Sequence, residues 1–227
     1  MLLPPTVRAE FLRRDNRYRI AAKVNGREVA AHLSDPGRLR ELLLPGRTLW
    51  LAPVDATGRV TSYDVLLVDH DGVLVSVMPR LANRVLEEAL HAGWLMGQRY
   101  PDLRREVRLG ASRIDLLLSG PSGRCWVEAK SCSLVEEGLA LFPDAPTARG
   151  TRHLRELVEA VQQGDAAAVV FVIPRGDAVR LAPHRVMDPA FAQTLGEARR
   201  YGVRVHALAC DVSREEIRVS REVPVLL

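Results

Sequence analysis

The stretch SRIDLLLSGPSGRCWVEAK, residues 112–130, sets Asp115, Glu128 and Lys130 among apolar residues on either side of Gly120-Pro121-Ser122-Gly123. Turn residues between two apolar runs predict a β-hairpin. Side chains alternate along a strand, so Glu128 and Lys130 share a face, as do Arg113 and Asp115. If Gly120 to Gly123 form the loop, Ser119 faces Arg124, Leu118 faces Cys125, and counting inward brings Asp115 opposite Glu128. Their β carbons then lie roughly 5 Å apart, and a register slip would make them diagonal neighbours instead. Like charges opposed in this way destabilise a strand pair, and a divalent cation between them removes the cost. Hard oxygen ligands favour magnesium or manganese, and Lys130 beside them can orient a water or stabilise charge on a phosphate. Those are the parts of metal-assisted phosphodiester hydrolysis. The alternative is a solvated sheet face on which Arg113 and Lys130 neutralise the two acids. Leu116, Leu117 and Leu118, with Cys125, Trp126 and Val127, argue instead for a sheet covered on both faces.

Outward from the hairpin, the chain divides in character near Pro79. Residues 1–79 read as short strands: TVRAEFLRR, then YRIAAKV and REVAAHL joined by Asn25-Gly26, a strong hairpin signal. A turn at Asp35-Pro36-Gly37 and a short helix RLRELL precede the strands TLWLAPV, YDVLLVD and VLVSVM. A small barrel accommodates them. Residues 80–227 alternate helices and strands, the pattern of an α/β domain: a helix over 80–95, the hairpin, a helix over 151–163, the apolar strand AAAVVFVI, a helix over 188–201 and the strand VRVHALAC. In the first of these helices Leu81, Val85, Ala92 and Leu95 form one stripe with Glu88 in it, which nominates Glu88 as a third carboxylate. The alternative is a charge at the edge of the core.

The 227 residues are 47% hydrophobic, enough for real cores, and the longest apolar run, Ala166 to Ile173, is too short to span a bilayer. No secretory signal is visible, so a cytoplasmic protein with no membrane partner is expected. Cys125, Cys132 and Cys210 form no CxxC pair and read as reduced structural thiols. A net charge of +4 leans mildly toward polyanionic partners. Thirty of the 32 basic residues are Arg, so Lys130 stands out as a place where a compact ammonium is required.

Asp115 with Glu128-Ala129-Lys130 resembles the core of the PD-(D/E)xK nucleases, with Ile114 where the literal motif has Pro. The longer runs LSDPGRLRELLLPG, SRIDLLL, WVEAKSCSL and LFPDAPTARGTRHLRELVEA resemble the sugar fermentation stimulation protein A (SfsA) family over essentially the whole chain. The resemblance implies a two-domain α+β/α/β protein: an N-terminal OB-like β-barrel (1–79) and a restriction-endonuclease-like α/β domain with a mixed central sheet (80–227). It also implies DNA binding, with RNA as an open alternative, and a link to sugar (maltose) metabolism. By position, the core would be Asp115, Glu128 and Lys130, with Arg149 and His153 near the same cleft. On the residues' own chemistry magnesium or manganese is expected on Asp115 and Glu128, with Glu88 of the helix stripe as the third candidate ligand. In its own pattern TARGTRHL opens a helix whose Leu154, Leu157, Val158 and Val161 face the core, leaving Arg149, Arg152 and His153 off that stripe. The alternatives are a solvated basic turn for TARGTRHL and an ordinary partly buried histidine for His153. Arg38, Arg40 and Arg47 flank the DPG turn of the barrel and are expected to contact phosphate, giving salt-sensitive, poorly sequence-selective binding. Two readings stand: a metal-dependent nuclease, or a non-catalytic, sequence-nonspecific DNA-binding regulator. A helix-turn-helix is disfavoured because PAFAQTLGEARRYGVRVHAL reads as one helix running into a strand.

Overall fold

The computed structural model of the chain describes residues 1–55, 57–95 and 100–227. The barrel is built from β1 (Val7–Asn16), β2 (Arg19–Val24), β3 (Arg27–His32), β4 (Thr48–Pro53) and β5 (Tyr63–His70), in the order β3-β2-β1-β4-β5. A parallel pairing of Ala31 and His32 with Tyr63 and Asp64 joins β3 to β5 and closes the ring. β6 (Val73–Ser76) adds to the free side of β5. Asn25-Gly26 turns β2 into β3 with both residues at positive φ (48° and 81°), as a two-residue hairpin requires. Alternate residues fill the interior: Ile20, Ala22, Leu49, Leu51, Val65 and Val68 are buried in one cluster.

The expected helix RLRELL does not form. Residues 38–44 are irregular, and Leu39 takes a φ of 48°, outside the right-handed helical region. Leu39 and Leu42 are instead anchors, 1% and 0% exposed, that plug the barrel and fix the loop above it. Burying two leucines in the barrel outweighs the local helix propensity of the segment.

The second domain carries a mixed sheet in the order β15-β14-β12-β9-β8-β7. Its strands are β7 (Asp102–Leu109), β8 (Ser112–Gly120), β9 (Gly123–Ser131), β12 (Ala166–Ile173), β14 (Arg204–Val212) and β15 (Ile217–Glu222). β9, β12 and β14 run parallel, and the pairs at either edge are antiparallel. A small sheet of β10 (Val135–Glu136), β11 (Leu139–Phe142) and β13 (Arg180–Pro183) stands beside it. Helix α1 (Arg80–His91) covers one face, while α2 (Ala148–Gln162) and α3 (Pro189–Arg200) cover the other, giving two core clusters. The central strand AAAVVFVI is buried along almost its whole length, which is why it reads as a continuous apolar run. Phe171 on this strand meets Phe142 and Phe191 at ring-centroid distances of 5.2 and 6.5 Å. No described helix is long and apolar enough to cross a membrane. All three cysteines are buried and outside disulfides, and burial pushes the Cys125 thiol up to about 11.

The two domains meet at the Asp35-Pro36-Gly37-Arg38 loop. Arg14 gathers that loop and the β1–β2 turn by donating to the carbonyls of Asn16, Arg17, Asp35, Gly37 and Arg38. The Asp144 carboxylate of the second domain accepts the Arg38 N–H at 2.9 Å. A Cβ on Gly37 would collide with that carboxylate, so glycine is needed there for close approach. Gly37→Ala is therefore expected to break the Asp144 contact and cost about 1.5–3 kcal/mol, the range for a hydrogen bond to a charged group. Asp144→Ala should cost the same, and the double variant no more than either single change in urea unfolding. Additive losses would show that the two residues act separately.

Candidate functional site

Asp115 sits on β8 where the backbone ladders on both sides are interrupted. The β8–β9 ladder runs from Gly120/Gly123 to Leu116/Val127 and stops one position short of Asp115 and Glu128. The loop is a two-residue turn, Pro121-Ser122, with Gly120 paired to Gly123, and this leaves the expected register unchanged. On the other side the β7–β8 ladder skips the position between Arg105/Leu116 and Val107/Ile114, where Glu106 takes a φ of 53°. In place of a main-chain acceptor, the Ala129 N–H donates to Asp115 Oδ2 at 2.8 Å. Asn83 from α1 donates to Asp115 Oδ1 at 2.8 Å. Sequence reading missed Asn83, whose only signal is its place one turn into a helix that covers this face.

Glu128 is 3% exposed and carries two cationic or proton-bearing neighbours on a single oxygen. Lys130 Nζ and His153 Nδ1 both donate to Oε1, each at 2.5 Å. The Arg149 Nε–H donates in turn to His153 Nε2 at 3.2 Å, so the imidazole must carry its proton on Nδ1. His153 is 1% exposed and lies on the inner face of α2, not off its apolar stripe as helical spacing suggested. The helix starts earlier than expected, at Ala148, with Thr147 capping it by accepting the Gly150 N–H at 3.0 Å.

The electrostatics of the two acids differ. Burial works to raise the Glu128 carboxyl, but the His153 hydrogen bond and the Lys130 ammonium outweigh it and hold the group below the usual carboxylate range. Asp115 is pushed up to about 6, chiefly by burial and then by the Glu128 charge, against the Ala129 and Asn83 hydrogen bonds. Glu128 Oε2 is buried with no partner. One more positive charge between Asp115 and that oxygen satisfies both, which is the fit a hard divalent cation requires. Among the described residues no group of three His, Cys, Asp or Glu is placed to hold a metal. The two carboxylates would therefore be the protein's share, with water or substrate oxygens completing the shell, as suits magnesium.

Asp115, Glu128 and Lys130 line a cleft of about 450 Å³ between the domains. Arg17, Asp35, Pro36 and Gly37 come from the barrel, Arg80 and Asn83 from α1, and Thr147, Arg149 and Gly150 from the start of α2. Asp35 is also pushed up to about 6 by burial, in part because Asp144 lies nearby. Glu88 is not part of this group. The buried face of α1 centres on Ala82, Val85, Leu86 and Ala89, which turns Glu88 to the flank, and its carboxylate takes the N-terminal ammonium of Met1 at 2.7 Å. Arg47 is also elsewhere: it is tied to Asp69, His70 and Asp71 in a separate hollow. Arg38 touches the cleft region through its backbone and Arg40 is exposed beyond it. Arg17 and Arg80 stand in the cleft, and neither Arg40 nor Arg47, which flank the DPG turn in sequence, lines it.

Because the folded-state pKa of Asp115 lies above its ordinary value, its ionised form opposes folding, and stability is recovered as pH falls through about 6 toward 4. Asp115→Asn is expected to stabilise the metal-free protein by about 1 kcal/mol at pH 8, after the loss of one accepted hydrogen bond. The gain should vanish near pH 4 in denaturant titrations; a loss of stability at pH 8 would contradict this account.

Comparison with known proteins places this geometry in a family. Residues 12–77 match the SfsA N-terminal OB domain, and residues 80–216 match the sugar fermentation stimulation protein RE domain. A sugar fermentation stimulation protein homolog of Moorella thermoacetica is 48% identical over 224 residues, covering 97% of this chain and 96% of the relative. One from Desulforamulus reducens is 42% identical over 228 residues, covering 100% and 95%. The structure of Pyrococcus furiosus SfsA in complex with Ca2+ superposes with a TM-score of 0.90 at 31% identity, covering 100% of this chain and 98% of that one. With both domains matched and full-length relatives at this identity, the chain belongs to the sugar fermentation stimulation protein (SfsA) family.

Proposed function

We propose that this protein is a divalent-metal-dependent nuclease that binds DNA and cleaves its phosphodiester bonds. The observation that carries the reading is the buried, unpartnered Oε2 of Glu128, beside an Asp115 carboxylate whose proton is retained up to about 6, on the wall of a cleft lined by Arg17, Arg80, Lys130 and Arg149. A binding protein gains nothing from two carboxylates facing a phosphate backbone unless a cation screens them. The Ca2+ of the Pyrococcus furiosus relative supports a hard, oxygen-seeking ion.

In this reading Asp115 and Glu128 hold magnesium or manganese, held in position by Asn83, Ala129 and His153. Bound there, the ion supplies Lewis acidity and a more acidic water. Lys130 is fixed to Glu128 Oε1 and presents an ammonium to the cleft, where it orients the attacking water and stabilises charge developing on the phosphate. Arg17, Arg80 and Arg149 hold the backbone, and the α2 N-terminus adds its dipole to the same wall. The cytoplasm is the expected compartment. A second reading, a sequence-nonspecific DNA-binding regulator linked to sugar metabolism, draws on Glu128 Oε1 already being neutralised by Lys130 and hydrogen-bonded by His153.

The test incubates labelled single- and double-stranded DNA and RNA with magnesium, with manganese and with chelator. Cleavage is expected to need the metal and to fall on the order of a hundredfold or more in Asp115→Ala/Glu128→Ala and in Lys130→Met. Protons compete with the metal for Asp115, so activity and Mn2+ affinity should both fall as pH drops through about 6. Salt-sensitive binding without cleavage, unchanged in the double variant, would select the regulator instead.

A further inference from the structure

The barrel sheet contains three hairpins with two-residue turns, and one differs in chemistry from the other two. Asp71-Gly72, between β5 and β6, takes positive φ at both residues (54° and 89°). Asn25-Gly26 joins β2 to β3 with the residue types that such a turn demands. The turn from β1 to β2 has Arg17-Tyr18 at its tip, between the paired residues Asn16 and Arg19, and neither tip residue has a positive φ. Nothing in the turn's geometry calls for an arginine and an aromatic ring. Tyr18 and Tyr201 are the exposed aromatic residues among those described, at 48% and 57% exposure. Tyr201 caps α3, whereas Tyr18 follows Arg17, which lines the cleft.

The turn is held firmly at its backbone, and two groups flank the exposed ring. The Tyr18 N–H donates to Asn16 Oδ1 at 2.9 Å, and the Tyr18 carbonyl accepts from the Leu33 N–H and from His32 Nδ1, both at 3.0 Å. The His32 ring lies alongside at 6.4 Å with an interplanar angle of 26°, and the Arg17 guanidinium is 6.0 Å from the ring centroid. Arg17 also donates to the Pro36 carbonyl at 3.3 Å, which ties this group to the loop that forms the cleft's edge. An exposed aromatic surface on a fixed turn, flanked by a second ring and a cation, offers stacking area to a flat partner.

Building on the nuclease reading, we propose that Tyr18, supported by His32 and flanked by Arg17, is a stacking platform for an unpaired nucleobase, and that the strand led into the cleft is single-stranded. A duplex keeps its bases stacked on each other and offers this ring only sugar and phosphate. An unpaired base has a free face for Tyr18, while its phosphate meets Arg17 and the strand continues toward Lys130.

The test uses the full chain in chelator, so that binding is read without cleavage. The probes are single strands of DNA and RNA of about 15 nucleotides carrying 2-aminopurine, and the matching duplex. Tyr18→Ala is expected to weaken single-strand binding about tenfold and to abolish the 2-aminopurine quench. Tyr18→Phe should retain both, and duplex affinity should not change in either variant. The DNA and RNA arms identify which sugar is accepted. Unchanged single-strand affinity in Tyr18→Ala, an equal loss for strand and duplex, or no single-strand binding by the wild-type protein would each overturn the platform. Tyr18-dependent quenching without metal-dependent cleavage would remove the nuclease reading alone, and cleavage indifferent to Tyr18 would remove the platform alone.

Discussion

A single hydrogen bond, from the Ala129 N–H to Asp115 Oδ2, organises the acidic wall of the cleft. It replaces a main-chain acceptor with a side-chain carboxylate at the place where the β8–β9 ladder ends. A regular ladder would pair the two strands and leave both acids as opposed charges. Opening it lets one acid be satisfied by backbone and by Asn83, while the other turns to Lys130 and His153. The interruption on the β7 side, with Glu106 at positive φ, keeps the same point of the sheet free of pairing on both flanks. The local disorder of the sheet is thus matched by an ordered set of side-chain bonds, as a buried polar network requires.

The network is unequal in charge. Glu128 is compensated through one oxygen, and its other oxygen is buried without a partner. Asp115 bears the cost, because burial and the neighbouring Glu128 charge both disfavour its ionised form. A site arranged in this way is under-charged by about one cation, and the Arg149–His153–Glu128 chain keeps it so by fixing the imidazole tautomer. Local rules are broken here, where an ionised Asp115 opposes folding, which is the pattern expected of a functional site.

The cleft exists because two domains close over this wall. Asp144 reaches from the second domain to the Arg38 N–H, Gly37 permits the approach, and Arg14 holds the loop and the β1–β2 turn as one unit. The barrel core secures that loop through Leu39 and Leu42. Packing in the barrel therefore positions Arg17 and Asp35 at the mouth of a site whose acids belong to a different core.

Sequence by itself determined what depends on neighbours in the chain. The hairpin register followed from the turn and from alternation, and it placed Asp115 against Glu128 and Lys130 beside it. The Asn25-Gly26 turn, the strand Ala166–Ile173 and the capped helix Pro189–Arg200 were likewise legible from local pattern. Tertiary structure decided what depends on residues far apart. Helical spacing could not say that α1 would offer Asn83 and turn Glu88 toward Met1, because the helix's rotation is set by the sheet it covers. It put His153 outside the apolar stripe, yet the helix buries it, with the Glu128 carboxylate on that side accepting its Nδ1–H. Propensity favoured a helix at RLRELL, and two leucines filling a barrel overrode it. That Arg17 and Arg80 line the cleft came only with closure of the two domains, which no local periodicity encodes.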